Sequence, residues 1–280
     1  MIPKIIHYCW FGKGLMPQSQ KDCIKSWKRF CPDYQIVKWD ESNFDVNLCP
    51  YTSEAYKQKK WAFVADVARL KALDEMGGIY MDTDVELFGS LDRFLDNEAF
   101  SGIEIYKEEF ERTSRHLLDN EDRPIVPGTC IQCCGFLSAV LGANKMNPLI
   151  NDCLKQYLLR NPYRENGDFN SIVIDGLLAD TALQYGFRFR DCEQDLSVVH
   201  LYPSTIFAFA GVPKQKESVA FHYTAWSWMP KTRKQKLFLW LDKCGILKPY
   251  RSLKKKVKSI FKDLVCTRSK MRLRFDLRRS

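Results

Sequence analysis

"GGIYMDTDVE" occupies residues 77–86. Two glycines end the segment before it, a short apolar run follows, and Asp82 and Asp84 stand one residue apart behind that run. The continuous string from Ile79 to Phe88 reads as one strand entered through a glycine turn. Side chains alternate faces along a strand, so this reading puts Asp82 and Asp84 on the same face.

Working upstream, "WAFVADVARLKALDEM" (residues 61–76) carries Phe63, Val64, Val67, Leu70, Leu73 and Met76 at spacings of three and four. That period predicts a helix, with Gly77 and Gly78 as its stop. Asp66 and Arg69 lie at i and i+3, neighbours on the helix surface. Further back, "KIIHYCW" (residues 4–10) and "YQIVKW" (residues 34–39) read as strands, with a helix started by Pro17 between them. Strand and helix alternate through the first ninety residues, which predicts an α/β fold with parallel strands. The middle of the chain is less regular. Residues 116–129 read as a loop, 130–140 as a strand, 147–160 as a helix opened by Asn147 and Pro148, and 170–186 as a further helix. Residues 196–204 and 218–228 read as late strands.

Composition bounds the function classes. The chain has 280 residues, 45% of them hydrophobic and 13% aromatic, enough for a large core and too apolar for a disordered chain. No stretch of about 18 apolar residues occurs, so no membrane span is expected. The first residues lack the long apolar run of a signal peptide, because His7, Cys9 and Trp10 interrupt it. Eleven cysteines at irregular spacing fit a reducing compartment. "CIQCC" (residues 130–134) has no second Cys/His pair at ligand spacing, so a zinc site is not expected. The expected location is therefore cytoplasmic.

The net charge of +9 hides two unlike parts. Residues 231–280 hold 18 Lys and Arg against 3 Asp, whereas residues 1–230 are net −6. Within the basic part, Leu253, Val257, Ile260, Phe261 and Leu264 share one helical face and lysines the other. That pattern predicts an amphipathic helix suited to an anionic membrane surface, on the inner face of the cytoplasmic membrane. No nucleic-acid reader module is recognisable, and nucleic acid is not an expected partner.

The D-x-D supports three chemistries. Two solvated acids at a strand end are the plainest. A hard divalent cation, Mg²⁺ or Mn²⁺, with phosphate oxygens completing its shell is the second. An aspartyl nucleophile of the haloacid-dehalogenase phosphatase type is the third. Such a phosphatase carries its D-x-D on the first strand. Here the pair comes some eighty residues in, with no later G-D-x-x-x-D. An acid and a guanidinium on the preceding helix suit a metal–diphosphate site.

"IPKIIHYCWFG" (residues 2–12), "SWKRFCPDYQIVKWDE" (residues 26–41), "FVADVARLKALDEMGGIYMDTDVE" (residues 63–86) and "HYTAWSW" (residues 222–228) together resemble glycosyltransferase family 32. That group of DXD sugar transferases includes capsule and lipopolysaccharide enzymes and fungal initiating mannosyltransferases, and is similar to the glucosylating domain of large clostridial toxins. The resemblance covers roughly residues 1–230 and departs at "CCGF" (residues 133–136), where a small polar segment is expected. It implies a GT-A type fold: a nucleotide-binding mixed sheet flanked by helices, followed by the basic helical tail 231–280. It implies that His7, Tyr8 and Trp10 lie beside the nucleotide base, and that Asp66, Arg69 and Tyr80 hold ribose and sugar. It further implies that Asp82 and Asp84 bind metal and donor, that His222 completes the metal shell, and that Ser227 and Trp228 contact the diphosphate. Asp82, Asp84 and Arg69 are the expected catalytic residues. The implied cofactor is Mn²⁺ or Mg²⁺. The implied partners are a nucleotide-sugar donor, UDP-linked by preference, and a saccharide acceptor, lipid-linked given the basic tail. The resemblance also implies a reaction that keeps the anomeric configuration. Whether a carboxylate such as Asp175 lies near the sugar does not follow from the string.

Overall fold

In the computed structural model, which describes residues 1–224, strand β1 (Ile5–Cys9) lies between β2 (Gln35–Trp39) and β3 (Gly78–Met81) and runs parallel to both. The alternation read from the first ninety residues thus becomes three parallel strands. The sheet then turns mixed. Strand β6 (Cys134–Ala143) is antiparallel to β3 and to β5 (Ala99–Ile105). Strand β8 (Val199–Tyr202) runs parallel to β5, and β7 (Gln194–Leu196) closes the edge antiparallel to it. The order is β2-β1-β3-β6-β5-β8-β7. The late segment 196–204, expected as one strand, is in fact divided between the end of β7 and β8.

Helix α1 (Gln18–Phe30) connects β1 to β2, α2 (Pro50–Lys57) precedes the sixteen-residue α3 (Trp61–Met76), and α4 (Lys107–Thr113) follows β5. Helices α5 (Pro148–Leu158) and α6 (Ile174–Ala182) come after β6. Asn147 caps α5, its side chain accepting from the amides of Leu149 and Ile150. Two apolar clusters pack on the two faces of the sheet. Val64, Val67, Leu70 and Leu73 of α3 join residues of α5 and α6 in one. Each of these four is fully buried, which contributes about 1.5–3 kcal/mol per side chain. Trp27 of α1 joins Phe94, Phe100, Phe207 and Phe209 in the other.

The expected strand from Ile79 to Phe88 is broken. Strand β3 ends at Met81, and residues 82–84 turn, closed by the Val85 amide donating to the Asp82 carbonyl at 3.0 Å. The chain then enters a second sheet as β4 (Val85–Leu87). There β4 pairs antiparallel with β10 (Ala220–His222), which lies parallel to β9 (Phe207–Phe209). Strand alternation is therefore not what gathers Asp82 and Asp84; the turn between two sheets is. The free edge of β4 is satisfied by α1, where Trp27 Nε1 donates to the Val85 carbonyl at 2.8 Å and Ser26 Oγ accepts from the Leu87 amide at 2.9 Å.

Residues 1–14 and 20–224 belong to one compact unit, and residues 15–19 fall in a second whose other residues, 230–280, are not among those described. Among the described residues no helix is long and apolar enough to cross a membrane. The basic segment 231–280, with its expected amphipathic helix, and the expected contact residues Ser227 and Trp228 lie outside the described residues.

Candidate functional site

Three elements deliver side chains to the carboxyl end of β3. Helix α3 supplies Asp66 and Arg69, the turn after β3 supplies Asp82 and Asp84, and β10 supplies His222. The β10–β4 register does the last step, pairing His222 with Val85, the residue after Asp84. A residue 138 positions downstream is thereby set beside the D-x-D.

Arg69 is the hub, 5% exposed. Its Nη1 donates to the Ser138 carbonyl at 2.9 Å and to Ser138 Oγ at 3.0 Å. Its Nη2 meets Asp66 Oδ1 at 3.0 Å and Asp82 Oδ1 at 3.4 Å. The guanidinium lies 4.3 Å from the centre of the Tyr80 ring, and the Tyr80 hydroxyl donates to Asp82 Oδ1 at 2.9 Å. Arg69 Nε is buried without a hydrogen-bond partner among the described residues. One planar cation thus fixes two carboxylates from two elements, which a lysine cannot do. Burial pushes the Asp66 carboxyl up to about 7, against the pull of Arg69 and with the charges of Asp175 and Asp82 adding to it.

His222 Nε2 stands 3.4 Å from Asp84 Oδ1 and 4.0 Å from Asp82 Oδ2. Burial works against a charge on this ring, yet the hydrogen bond to Asp84 and the surrounding carboxylates lift it to about 9. One ligand atom from each of Asp82, Asp84 and His222 falls within 4.8 Å of the others. The set is two hard oxygens and one imidazole nitrogen, converging from a turn and a strand end. That donor set fits a divalent cation of the Mg²⁺ or Mn²⁺ kind, with positions left for phosphate oxygens.

Not every expected residue reaches this cleft. His7 is fully buried and is corrected to a core residue. Trp39 Nε1 donates to its Nδ1 at 3.1 Å, so Nε2 carries the proton and donates to the Gly77 carbonyl at 2.8 Å. Burial lowers its pKa, in keeping with a neutral ring. With both nitrogens used inside the protein, His7 has nothing left to offer a nucleotide base. Tyr8 and Trp10 are half-buried at the end of β1. The Tyr8 ring packs on Trp27, and Trp10 Nε1 donates to the Gly14 carbonyl at 2.7 Å. Neither shares a hydrogen bond with the Arg69 network among the described residues.

Reading the sequence missed Ser138 and Glu104. Ser138 is the one hydroxyl in the ten-residue, fully buried β6, and that isolation was its signal. Glu104 sits between Ile103 and Ile105 in a strand that was not assigned. Asp175, noted without a position, accepts from the Ser138 amide at 3.0 Å and so joins the network.

The family described as "Glycosyltransferase sugar-binding region containing DXD motif" matches residues 17–101. That span holds Asp66, Arg69, Tyr80, Asp82 and Asp84. A relative from Schizosaccharomyces pombe, "Inositol phosphoceramide mannosyltransferase 3", is 36% identical over 110 residues, which are 35% of this chain and 29% of the relative. The chain thus matches less than a third of that relative's length. Among solved structures, the galactosyltransferase LgtC in complex with donor and acceptor sugar analogues is similar at 14% identity and a TM-score of 0.46, covering 85% of this chain and 95% of that one. PaToxG glycosyltransferase is similar at 19% identity and a TM-score of 0.42, over 65% and 69% of the two chains. The D-x-D, its helix and its guanidinium all lie inside residues 17–101, the region that matches the DXD-motif glycosyltransferase family.

Proposed function

We propose that the chain is a divalent-cation-dependent, retaining hexosyltransferase that moves a sugar from a nucleotide sugar, UDP-linked by preference, to a saccharide acceptor. The observation that carries this reading is the convergence of Asp82, Asp84 and His222 beside the Arg69–Asp66 pair. Asp82 and Asp84 hold the cation with His222, and Arg69 keeps Asp82 oriented through Nη2. Asp66, clamped by the same guanidinium, presents its second oxygen to donor hydroxyls. Held by Asp82, Asp84 and His222, a divalent cation would supply positive charge to offset the charge that develops on the departing diphosphate. In a same-face substitution no protein nucleophile is required, and none is assigned.

The acceptor in this reading is lipid-linked, and the product is a surface polysaccharide of the capsule or lipopolysaccharide kind. Two supports stand behind it: the +15 charge of residues 231–280, and a relative named as an inositol phosphoceramide mannosyltransferase. The division into a catalytic domain over residues 1–230 and a docking tail over 231–280 belongs to the same proposal, as does a location on the inner face of the cytoplasmic membrane. Full-length protein is expected to bind vesicles containing anionic lipid and to release when Lys254, Lys255 and Lys256 are replaced by Glu. Unchanged binding would remove the docking proposal.

The direct test is thermal unfolding with UDP, GDP or no nucleotide, each with Mn²⁺ or with EDTA. A ligand at 100 times its Kd stabilises by about 2.7 kcal/mol, a readable shift. The expected outcome is stabilisation by one nucleotide that needs Mn²⁺ and disappears in Asp84→Asn. No shift with either nucleotide would overturn the donor site.

A further inference from the structure

Residues 124–129, Pro-Ile-Val-Pro-Gly-Thr, form an exposed tip on the connection between β5 and β6. Ile125 and Val126 are adjacent there, 61% and 62% exposed. No charged residue occurs between Arg123 and Lys145, so the tip carries no charge of its own. The chain holds it in one shape. The Thr129 amide donates to the Val126 carbonyl at 3.1 Å, closing a turn with Pro127 second and Gly128, at φ 81°, third. That is the residue pattern of a type II turn. Behind it Leu118 bridges to Pro124, and the Ile125 amide donates to the Leu117 carbonyl at 3.0 Å. Pro124 and Pro127 have no amide proton to satisfy. The tip is therefore rigid and apolar, and most of its backbone donors are either absent or already bonded, which lowers the cost of taking it out of water.

Strands β3 and β5 both run antiparallel to β6, so the aspartate turn after β3 and the connection after β5 leave the same end of the sheet. The Asp82 amide donates to the Ala139 carbonyl, whereas Ile105, at the end of β5, pairs with Cys134. Five residues of β6, roughly 17 Å at the rise of a strand, separate those two levels. The connection that carries the tip thus starts beyond the aspartate turn. Charge and size select what the tip meets. Arg115 pairs with Asp122 at 3.3 Å and Arg123 with Glu121 at 4.0 Å, so the belt behind it is neutral rather than basic. Two aliphatic side chains also fall far short of the roughly 800 Å² per partner that a stable protein interface buries. A small, rigid, uncharged aliphatic tip fits the boundary between headgroups and acyl chains.

We infer that Ile125 and Val126 insert into the surface of a lipid bilayer. The contact is aliphatic and indifferent to lipid charge, unlike the attraction proposed for the basic residues 231–280. Its consequence rests on the lipid-linked acceptor of the function proposed above: a tip anchored at the same end of the sheet as the aspartate turn keeps that turn at a set height over the surface that carries the acceptor.

The experiment is co-sedimentation of the full chain with vesicles of phosphatidylcholine and phosphatidylglycerol, as salt is raised from about 0.01 M to about 0.1 M and the Debye length falls from about 30 to about 10 Å. The double variant Ile125→Asp, Val126→Asp is expected to bind about 10-fold or more weakly than wild type at every salt concentration, with Tm unchanged. Replacing Lys254, Lys255 and Lys256 by Glu should instead give a loss that shrinks as salt rises. A second double variant, Ile125→Trp, Val126→Trp, is expected to bind more tightly, because indole rings favour the interface. It decides the matter if the aspartates lower Tm: affinity no higher than wild type would overturn the inference. Aspartate variants that bind as wild type does would overturn it too, as would a wild type that binds no vesicles. Self-association of wild type that the aspartates abolish, at unchanged vesicle affinity, would assign the tip to a second copy of the chain and overturn it. The two tip variants should keep the Mn²⁺-dependent response to nucleotide. If wild type lacks that response but binds vesicles through the tip, the proposed function falls and the insertion stands.

Discussion

His7 and His222 are both buried imidazoles at strand positions near the D-x-D, and they have opposite surroundings. His7 spends its two nitrogens on an indole N–H and a backbone carbonyl, so it stays neutral and holds β2 and the Gly77 turn to β1. His222 faces two carboxylates, and its Nδ1 has no hydrogen-bond partner among the described residues. The difference lies in what remains unsatisfied. A polar group whose partners are all internal is part of the frame, whereas an imidazole set beside two carboxylates, with one nitrogen unpartnered among the described residues, belongs to a converging donor set. Arg69 combines the two conditions, with both Nη atoms engaged and Nε unpartnered among the described residues.

Replacing Arg69 by Lys tests the combined case and carries the largest expected effect. A lysine cannot span Ser138, Asp66 and Asp82, so buried carboxylates lose their partner at about 3–5 kcal/mol, read by denaturant unfolding. A change below 1 kcal/mol would mean that the fork is not what holds Asp66. His7→Leu comes next. It strands the Trp39 indole N–H and the Gly77 carbonyl, at about 1–3 kcal/mol for each group left unsatisfied. Its Mn²⁺-dependent response to nucleotide should survive in whatever protein remains folded; loss of that response at unchanged stability would return His7 to the donor site. His222→Ala should instead lose the cation response. Titration with Mn²⁺ should show cation affinity down by at least about 10-fold, and Tm in the absence of metal should fall as well, because Asp84 loses its ion-pair partner. Tyr80→Phe is the smallest, removing one hydroxyl from Asp82 for about 1 kcal/mol and leaving the ring under Arg69.

Much of the frame was legible in the string. The period of α3, its stop at two glycines, and the alternation of strands and helices all follow from local chemistry, and the parallel order of β2, β1 and β3 bears this out. The pairing of Asp66 with Arg69 was legible for the same reason, since i and i+3 meet on any helix. The antiparallel insertion of β6 was not, because no local pattern tells where a strand 60 residues on will enter a sheet. The fate of residues 79–88 was misread because a fully apolar run carries no mark of the point where it leaves one sheet for another. The role of His7 depends on partners 32 and 70 residues away, Trp39 and Gly77, so it could not be settled by its neighbours in sequence. His222 was reached only through resemblance, since the contact that places it is a strand register.

The Gly77–Gly78 turn has an implication for reading any catalogue of tolerated substitutions in this protein. Both residues have positive φ, 64° and 107°, and a Cβ on Gly78 would lie 2.7 Å from the Ile5 carbonyl oxygen and 3.0 Å from His7 Nε2. A Cβ on Gly77 would come within 2.9 Å of the Lys145 amide nitrogen. A side chain on Gly78 wedges β1 away from β3, one on Gly77 presses on the chain around Ala143 and Lys145 at the end of β6, and either strains the entry to the aspartate turn. In a saturation screen scored by activity, these two glycines should therefore be as intransigent as Asp82 and Asp84, although no substrate atom ever meets them. Ranking positions by intolerance alone would merge hinge with hearth; only a parallel screen scored by folding would draw them apart.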